Sequence, residues 1–330
     1  MTTGPSTAVI GVSLSKRRTS TGQAVWYSFA GINIEIIADP DCHCLLATEW
    51  IFAGCRRSGP PEVVDLQVNL ALSSNDQHSA WSMQVWDHAS MLPNGAVDVL
   101  LGHGFAVTGV GRYTLTAPDR SALLPALNEL SSLAILAAQQ SNGAATVHAA
   151  SLSRGGQGLL LIGNGFSGKT TLSLALAATG WTLLGDDACV ITSTAMMEPL
   201  PLRINLRRGS FELLTATFPE LFLRYQPAFA ARERVLVDPV ELFPDSKLAP
   251  CPPRWVVVVE GFGSTGGPEL RRLSRGVTLA RVAPQLRLAT VDLVERLDRA
   301  RALVANAECY ALRAGALGAT LETLGYVLYA

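Results

Sequence analysis

The sequence predicts an α/β protein in two parts, a strand-rich N-terminal region followed by a region where strands and helices alternate. Three observations predict it. Short β-favouring segments at residues 25–29, 32–37, 63–70, 81–86 and 112–116 are separated by Gly, Pro, Asn and Asp. From residue 146 the pattern changes to strand (146–152), turn (154–158), strand (159–162), helix (169–179) and strand (181–184). At 330 residues with 48% hydrophobic and 16% charged side chains, the chain has material for a large core and the length of about two domains.

The elements take the following order. Residues 1–20 are rich in Ser, Thr, Gly and basic residues and read as a flexible tail. Residues 21–118 form an N-terminal strand-rich (α+β) domain, and residues 119–330 the second domain. The second opens with a helix over 121–140, where Leu123, Leu124, Leu127, Leu130, Ala134 and Ala138 fall largely on one face and Ser141-Asn142-Gly143 ends it. Gly180 stands where the cap of the 169–179 helix belongs. A strand over 255–259 and a helix over 317–329 complete the outline.

Between the 159–162 strand and the 169–179 helix lies Gly163-Asn164-Gly165-Phe166-Ser167-Gly168-Lys169-Thr170, the Walker A pattern G-x-x-x-x-G-K-T, followed by Thr171. Recognising phosphate takes several backbone N–H groups aimed into one concavity, which bulky side chains would obstruct. Glycines at both ends allow the curvature, and the following helix directs its positive end at the anion. Lys169 can reach the β- and γ-phosphates of ATP or GTP, and the Thr170 hydroxyl is placed to ligate Mg²⁺. The bland alternative is a glycine-rich turn beside a helix. The strand before and the helix after it are the context the motif requires.

The next strand ends at Gly185-Asp186-Asp187, with Asp186 17 positions after Lys169. One βαβ unit brings both to the same sheet edge. There one carboxylate can orient the metal, and another can take a proton from an attacking hydroxyl; otherwise the pair is an acidic turn. His148 lies on the preceding strand, and antiparallel pairing of 146–152 with 159–163 carries it toward the loop; otherwise it is a structural histidine. Arg203, Arg207 and Arg208 can neutralise phosphate charge or form a solvated basic face.

These residues resemble a known family. The run His148-Ala149-Ala150-Ser151, the stretch 159–171 and Leu183-Leu184-Gly185-Asp186-Asp187 are similar to the HPr kinase/phosphorylase family, and more closely to its HPr-kinase-related branch from bacterial peptide-tailoring clusters, including lasso-peptide kinases. The resemblance continues through 201–210 and 253–257 and, weakly, through 309–312. It implies a P-loop kinase domain of HPr-kinase type over 119–330 and Mg²⁺-ATP-dependent phosphorylation of a serine hydroxyl on a peptide or protein. By matching position, Lys169 and Thr170 handle phosphate and metal. Asp186 and Asp187 supply base and metal contact, with Asp187 taken beside Thr170 on the metal and the base left open between the two. His148 sits near the acceptor. HPr kinases carry Glu-Ile-Arg-Gly where this chain has Leu206-Arg207-Arg208-Gly209, so the metal-side glutamate is absent unless Glu212 replaces it. That departure points to the related branch.

Other motifs carry less. Residues 152–157 look like an ABC-transporter signature but precede the loop, as a hairpin turn would. Gly261-Phe262-Gly263-Ser264-Thr265-Gly266 matches a dinucleotide fingerprint without a helix start after it. The run 256–260 is a second Walker-B-like strand or simply a buried one. Cys42-His43-Cys44 with Cys55 invites zinc, but adjacent residues on an extended chain point to opposite faces. Trp81 and Trp86 read as core or interface.

With 26 basic against 27 acidic residues, no nucleic-acid partner is expected. No apolar run nears the roughly 20 residues a bilayer requires. Six scattered cysteines suit a reducing cytoplasm. The positive mean hydropathy leaves room for self-association as a homo-oligomer. The N-terminal domain is the expected holder of a peptide, through edge-strand addition. A nucleotide switch without transferase activity and a kinase of a small hydroxylated metabolite are the alternatives.

Overall fold

The computed structural model describes residues 22–29, 31–48, 50–72, 89–91, 97–99, 105–107, 112–117, 127, 135, 143–262, 267–287 and 293–328. The expected strand over 81–86 and the tail over 1–20 lie outside them, as does the helix over 121–140 apart from Leu127 and Ile135, which are both helical.

The N-terminal sheet contains β1 (Gln23–Phe29), β2 (Ile32–Ala38) and β3 (Leu66–Leu72). A short hairpin of β4 (Ala89–Met91) and β5 (Val97–Val99) stands apart, and β6 (Phe105–Val107) and β7 (Arg112–Ala117) complete the sheet in the order β1-β2-β3-β7-β6. β1 and β2 are antiparallel, whereas β3 is parallel to both β2 and β7. Helix α1 (Pro40–Thr48) lies between β2 and β3 in the chain.

Alternation in β2 sends Ile32, Ile34, Ile36 and Ala38 to one buried face. They pack with Cys42 and Leu46 of α1 and with Trp50 and Phe52. The Trp50 ring meets Tyr27 edge-on at 4.5 Å and Phe52 at 5.2 Å. Because α1 is helical, the extended geometry expected at Cys42-His43-Cys44 is corrected. Cys42 is buried and Cys44 exposed, and no cluster of three or more His, Cys, Asp or Glu that could hold a metal occurs among the described residues. Strand β3 starts at Leu66, three residues later than expected, because Val63 and Val64 are exposed and outside the sheet.

The second part is built on a six-stranded sheet. In chain order its strands and their neighbours are β8 (Ala145–Val147), β9 (Ala149–Arg154), β10 (Gln157–Ile162), β11 (Thr182–Gly185), β12 (Cys189–Ile191) and β13 (Met197–Glu198). There follow β14 (Ile204–Arg207), β15 (Arg234–Val237), β16 (Pro253–Phe262), β17 (Glu269–Arg272), β18 (Leu286–Arg287) and β19 (Glu308–Ala314). The sheet order is β11-β9-β10-β16-β19-β17, with β10, β16 and β19 parallel. The longer helices are α2 (Lys169–Ala178), α3 (Arg208–Thr217), α4 (Arg275–Val282), α5 (Leu293–Ala305) and α6 (Leu317–Leu328).

The central strands are covered on both faces, which explains their near-continuous apolar runs. Leu159, Leu161, Val257 and Val259 share one core with α2, α3 and α6. Leu160, Ile162 and Val256 face a second core with residues of α4 and α5 and of the sheet β13-β12-β8-β18. The first core's neighbour under the N-terminal sheet takes in Val190 and Leu200, so the two parts pack against one another.

The single strand expected over 146–152 is two strands in different sheets. β8 pairs with β12 and β18, β9 pairs with β10 and β11, and the chain bends at His148, whose N–H donates to the Gln285 carbonyl at 2.9 Å. The turn at Gly155-Gly156 closes a β9–β10 hairpin, as expected. After Phe262 the next described element is β17, a strand and not the helix a dinucleotide fingerprint needs. No helix among the described residues is long and apolar enough to cross a membrane.

Candidate functional site

β9 runs antiparallel to β10 and β11 and lies between them. The ends of β10 and β11 and the start of β9 therefore meet at one sheet edge, bringing together the loop at 163–168, Asp186-Asp187 and His148. The loop itself is tightly seated. At Gly163 a side chain would collide with Ser167 and with the Val259 carbonyl on the adjacent strand; at Gly168, with φ +98°, it would strike the Phe262 ring. Phe166 holds φ +65°, unusual for a residue with a side chain, and its ring is 85% exposed. Strain of this kind costs on the order of 1–3 kcal/mol and clusters at functional sites.

Lys169 is buried beneath the loop. Its ammonium donates to the Gly163 carbonyl at 2.7 Å and the Asn164 carbonyl at 3.2 Å, and lies 3.4 Å from His148 Nε2. Burial lowers its pKa, against the opposing pull of Asp187 and Asp186. The first N–H groups of α2, which have no partner within the helix, begin at this residue.

The two aspartates are treated differently by the fold. Asp186 is buried; its Oδ2 accepts from Thr170 Oγ1 and its Oδ1 from Ser173 Oγ, both at 2.8 Å. Burial pushes its pKa up to about 6 even though both hydroxyls favour the charged form. Asp187 has a side chain 81% exposed, with Oδ1 3.4 Å from His148 Nδ1. His148 Nδ1 also lies 3.1 Å from the Asp187 carbonyl, which suits a proton on that nitrogen and leaves Nε2 to accept from Lys169. The sequence expects Asp187 beside Thr170 at a metal; in the structure the carboxylate in contact with Thr170 is that of Asp186, because α2 packs its first turn over the end of β11.

A cavity of about 990 Å³ opens over these groups. Its walls include Gly165 to Thr171, His148, Asp186 and Asp187, then Arg203, Asn205, Arg207 and Arg234 of the β14–β15 ribbon and its approach, with Ile51 and Leu127 beyond. Of the three arginines singled out in the sequence, the structure frees one. Arg207 lies over the Phe166 ring, 4.1 Å from its centroid. Arg203 donates to the Ala47 and Thr48 carbonyls at the end of α1 and sits 3.8 Å from Asp238, so it fastens the N-terminal part. Arg208 pairs with Glu233 at 2.9 Å and donates to the Phe229 and Arg232 carbonyls; it does not line the cavity. Neither does Glu212.

Sequence reasoning missed Ser173, Ser210 and Arg234. Ser173 had a signal, since it lies three residues after Thr170 and so on the same helix face. Ser210 accepts from Thr171 Oγ1 at 2.9 Å, and nothing local announces this contact between residues 39 apart. Glu260, in the rival Walker-B-like run, is paired with Arg271 at 2.7 Å outside the cavity.

The donor set fits Mg²⁺. Thr170 Oγ1 and Asp186 Oδ2 are hard oxygens 2.8 Å apart, close to the ~2.9 Å between adjacent ligands of an octahedral ion with 2.0–2.1 Å bonds. No family model and no curated protein matches the chain. Among solved structures it is similar to the HPr(Ser) kinase/phosphatase from Coxiella burnetii, with 16% sequence identity and a TM-score of 0.27 over 56% of this chain and 94% of that one.

Proposed function

We propose that this protein transfers the γ-phosphoryl group of Mg²⁺-ATP to a hydroxyl, with a serine on a peptide or protein as the acceptor class. The observation that carries the reading is the convergence of Lys169, the Thr170–Asp186 pair and the His148–Asp187 pair in one cavity. A glycine loop and a helix start alone would serve any polyphosphate binder. A second, exposed carboxylate braced by a histidine is what proton removal from an acceptor adds.

The residues divide the task. Loop amides from Gly163 to Thr170, with Thr171 next on the helix, cradle the phosphates, and Lys169 neutralises their charge. Thr170 and Asp186 would hold Mg²⁺, which when bound would draw negative charge from the nucleotide's phosphates. Asp187, open to the cavity, takes the proton of the acceptor hydroxyl as that hydroxyl oxygen bonds to the γ-phosphorus in line, while the bond from phosphorus to the bridging oxygen breaks and ADP leaves. His148 Nδ1 steadies that carboxylate, and its Nε2 contact keeps Lys169 on the same side of the loop. The buried Asp186 is a poor base in this scheme, because both of its oxygens are engaged by hydroxyls.

The test is incubation with γ-labelled ATP, Mg²⁺ and serine peptides, followed by mass spectrometry, with binding of a non-hydrolysable ATP analogue measured in parallel. Phosphopeptide formation by wild type is expected. Analogue binding with no phosphorylated peptide or metabolite would leave a nucleotide-dependent switch. Label on a free metabolite alone would move the acceptor class to small molecules.

A further inference from the structure

The β14–β15 ribbon has two faces set by its register. Cross-strand partners are Ile204 with Val237, Asn205 with Leu236, Leu206 with Val235, and Arg207 with Arg234. Directly opposed residues on a ribbon point to the same side. Ile204, Leu206, Val235 and Val237 are buried in the core beside α3. Asn205, Arg207, Arg234 and Leu236 therefore share the other face, and all four line the cavity.

Two like charges directly opposite one another destabilise a ribbon. The neighbouring arginines have acids to offset theirs, Asp238 for Arg203 and Glu233 for Arg208. Among the described residues neither Arg207 nor Arg234 forms an ion pair. The contact Arg207 does make, with the Phe166 ring, places its guanidinium on a side chain that points out of the phosphate loop. Both arginines line the cavity that Asp187 also lines, with Arg207 set against the exposed Phe166 on the outer side of the loop. An anion held between two planar guanidinium groups would remove the repulsion and gain forked, charge-assisted hydrogen bonds.

We propose that Arg207 and Arg234 form an anion clamp that selects acceptors carrying a carboxylate close to the hydroxyl to be phosphorylated, so that an acidic serine peptide is the preferred substrate class. The clamp rests on the phosphotransfer reading for the hydroxyl, but its preference for an acid can be measured without turnover.

The probes are two fluorescein-labelled peptides with a central serine, one flanked by Glu on both sides and the other by Gln. Their binding to wild type, Arg207→Gln and Arg234→Gln is followed by fluorescence polarisation, with titration of a non-hydrolysable ATP analogue and thermal melting of the nucleotide-free proteins. Wild type should bind the Glu probe at least roughly tenfold more tightly than the Gln probe, as expected for loss of one charge-assisted hydrogen bond. Each substitution should abolish most of that preference, leave analogue affinity within about twofold, and leave the melting midpoint equal or higher because repulsion is relieved. Equal binding of the two probes to wild type overturns the clamp. So does a fall in analogue affinity with the peptide preference intact, which would give the arginines to the nucleotide, or a lowered midpoint in both variants, which would make them structural. If wild type binds the Glu probe selectively but no analogue, the clamp stands and the phosphotransfer reading falls.

Discussion

The N-terminal sheet and the six-stranded sheet are made from similar apolar strands, yet only one gathers the candidate site at its edge. In the first, one face is buried against α1 and Trp50, while the other carries polar contacts such as Trp26 and Gln67 donating to Glu35. In the second, the central strands are buried on both faces. Among these central strands the charged groups collect at the ends, and the ends of β10 and β11 with the start of β9 gather Lys169, Asp186, Asp187 and His148 at one edge. Open sheets with covered faces place ligands at strand ends for this reason. The N-terminal part instead supplies a wall, through Ile51 in the turn after α1, and an anchorage, through the α1 carbonyls that hold Arg203.

The strongest way to break this division is at Asp187. Asp187→Asn keeps the shape of an exposed side chain and removes the base, so phosphoryl transfer should fall roughly a hundred- to ten-thousand-fold with affinity for the ATP analogue unchanged. Transfer by the variant at the wild-type rate would remove Asp187 from the chemistry. The matching change on the other side is Trp50→Ala, which empties the space between Tyr27 and Phe52. Denaturant unfolding should show a loss of about 3–5 kcal/mol, while analogue affinity of the folded variant stays within about twofold. A tenfold loss of affinity would mean that the N-terminal sheet shapes the nucleotide site and is more than a wall.

The two sheets also differ in how far the sequence revealed them. The strand, loop and helix from Gln157 to Ala178 were legible to within two or three residues, because a burst of apolar residues, punctuating glycines and a helix all agree locally. The bend at His148 was not: Ala145 to Leu152 is buried throughout save for His148, and a change of sheet leaves no trace in such a run. Helix α1 escaped notice because Pro40, Cys42, His43 and Cys44 are weak helix formers whose cysteines suggested a metal. At the site, spacing pointed to the Asp186–Asp187 pair but could not divide it, since division depends on which carboxylate α2 covers. Arg234 was beyond reach for a similar reason, as its opposition to Arg207 is a matter of register between strands 27 positions apart.

A smaller effect sharpens the contrast between the aspartates. The folded protein holds Asp186 at a pKa of about 6, against an ordinary 3.8. The folded state therefore takes up this proton first as pH falls, and the residue adds stability from about pH 6 down to about pH 4, by up to roughly 3 kcal/mol at 1.36 kcal/mol per unit. Above pH 6 the contribution is lost, because the charged carboxylate is buried. Unfolding of wild type and Asp186→Asn, without Mg²⁺ or nucleotide, should show wild type gaining on the variant between pH 7.5 and pH 4.5. A difference that does not change with pH would mean that Asp186 is solvated in solution and not sealed under α2.

The smallest expected effect lies in Ser173, a hydrogen-bond partner of Asp186 that has no part in the proposed metal site. Its hydroxyl donates to Asp186 Oδ1 at 2.8 Å and so favours the charged carboxylate. Ser173→Ala leaves that oxygen without this donor and should cost about 1–3 kcal/mol at pH 7.5. The cost should shrink at pH 4.5, where the folded carboxyl is already protonated and the charge-assisted bond is gone. The same substitution should weaken Mg²⁺-dependent binding of the ATP analogue modestly at neutral pH, because a carboxylate that ionises less readily competes less well for the metal. Analogue binding without Mg²⁺, which depends on the loop and Lys169, should be unaffected. A variant equally destabilised at both pH values would show that Ser173 acts by packing within α2 and not through the ionisation of Asp186.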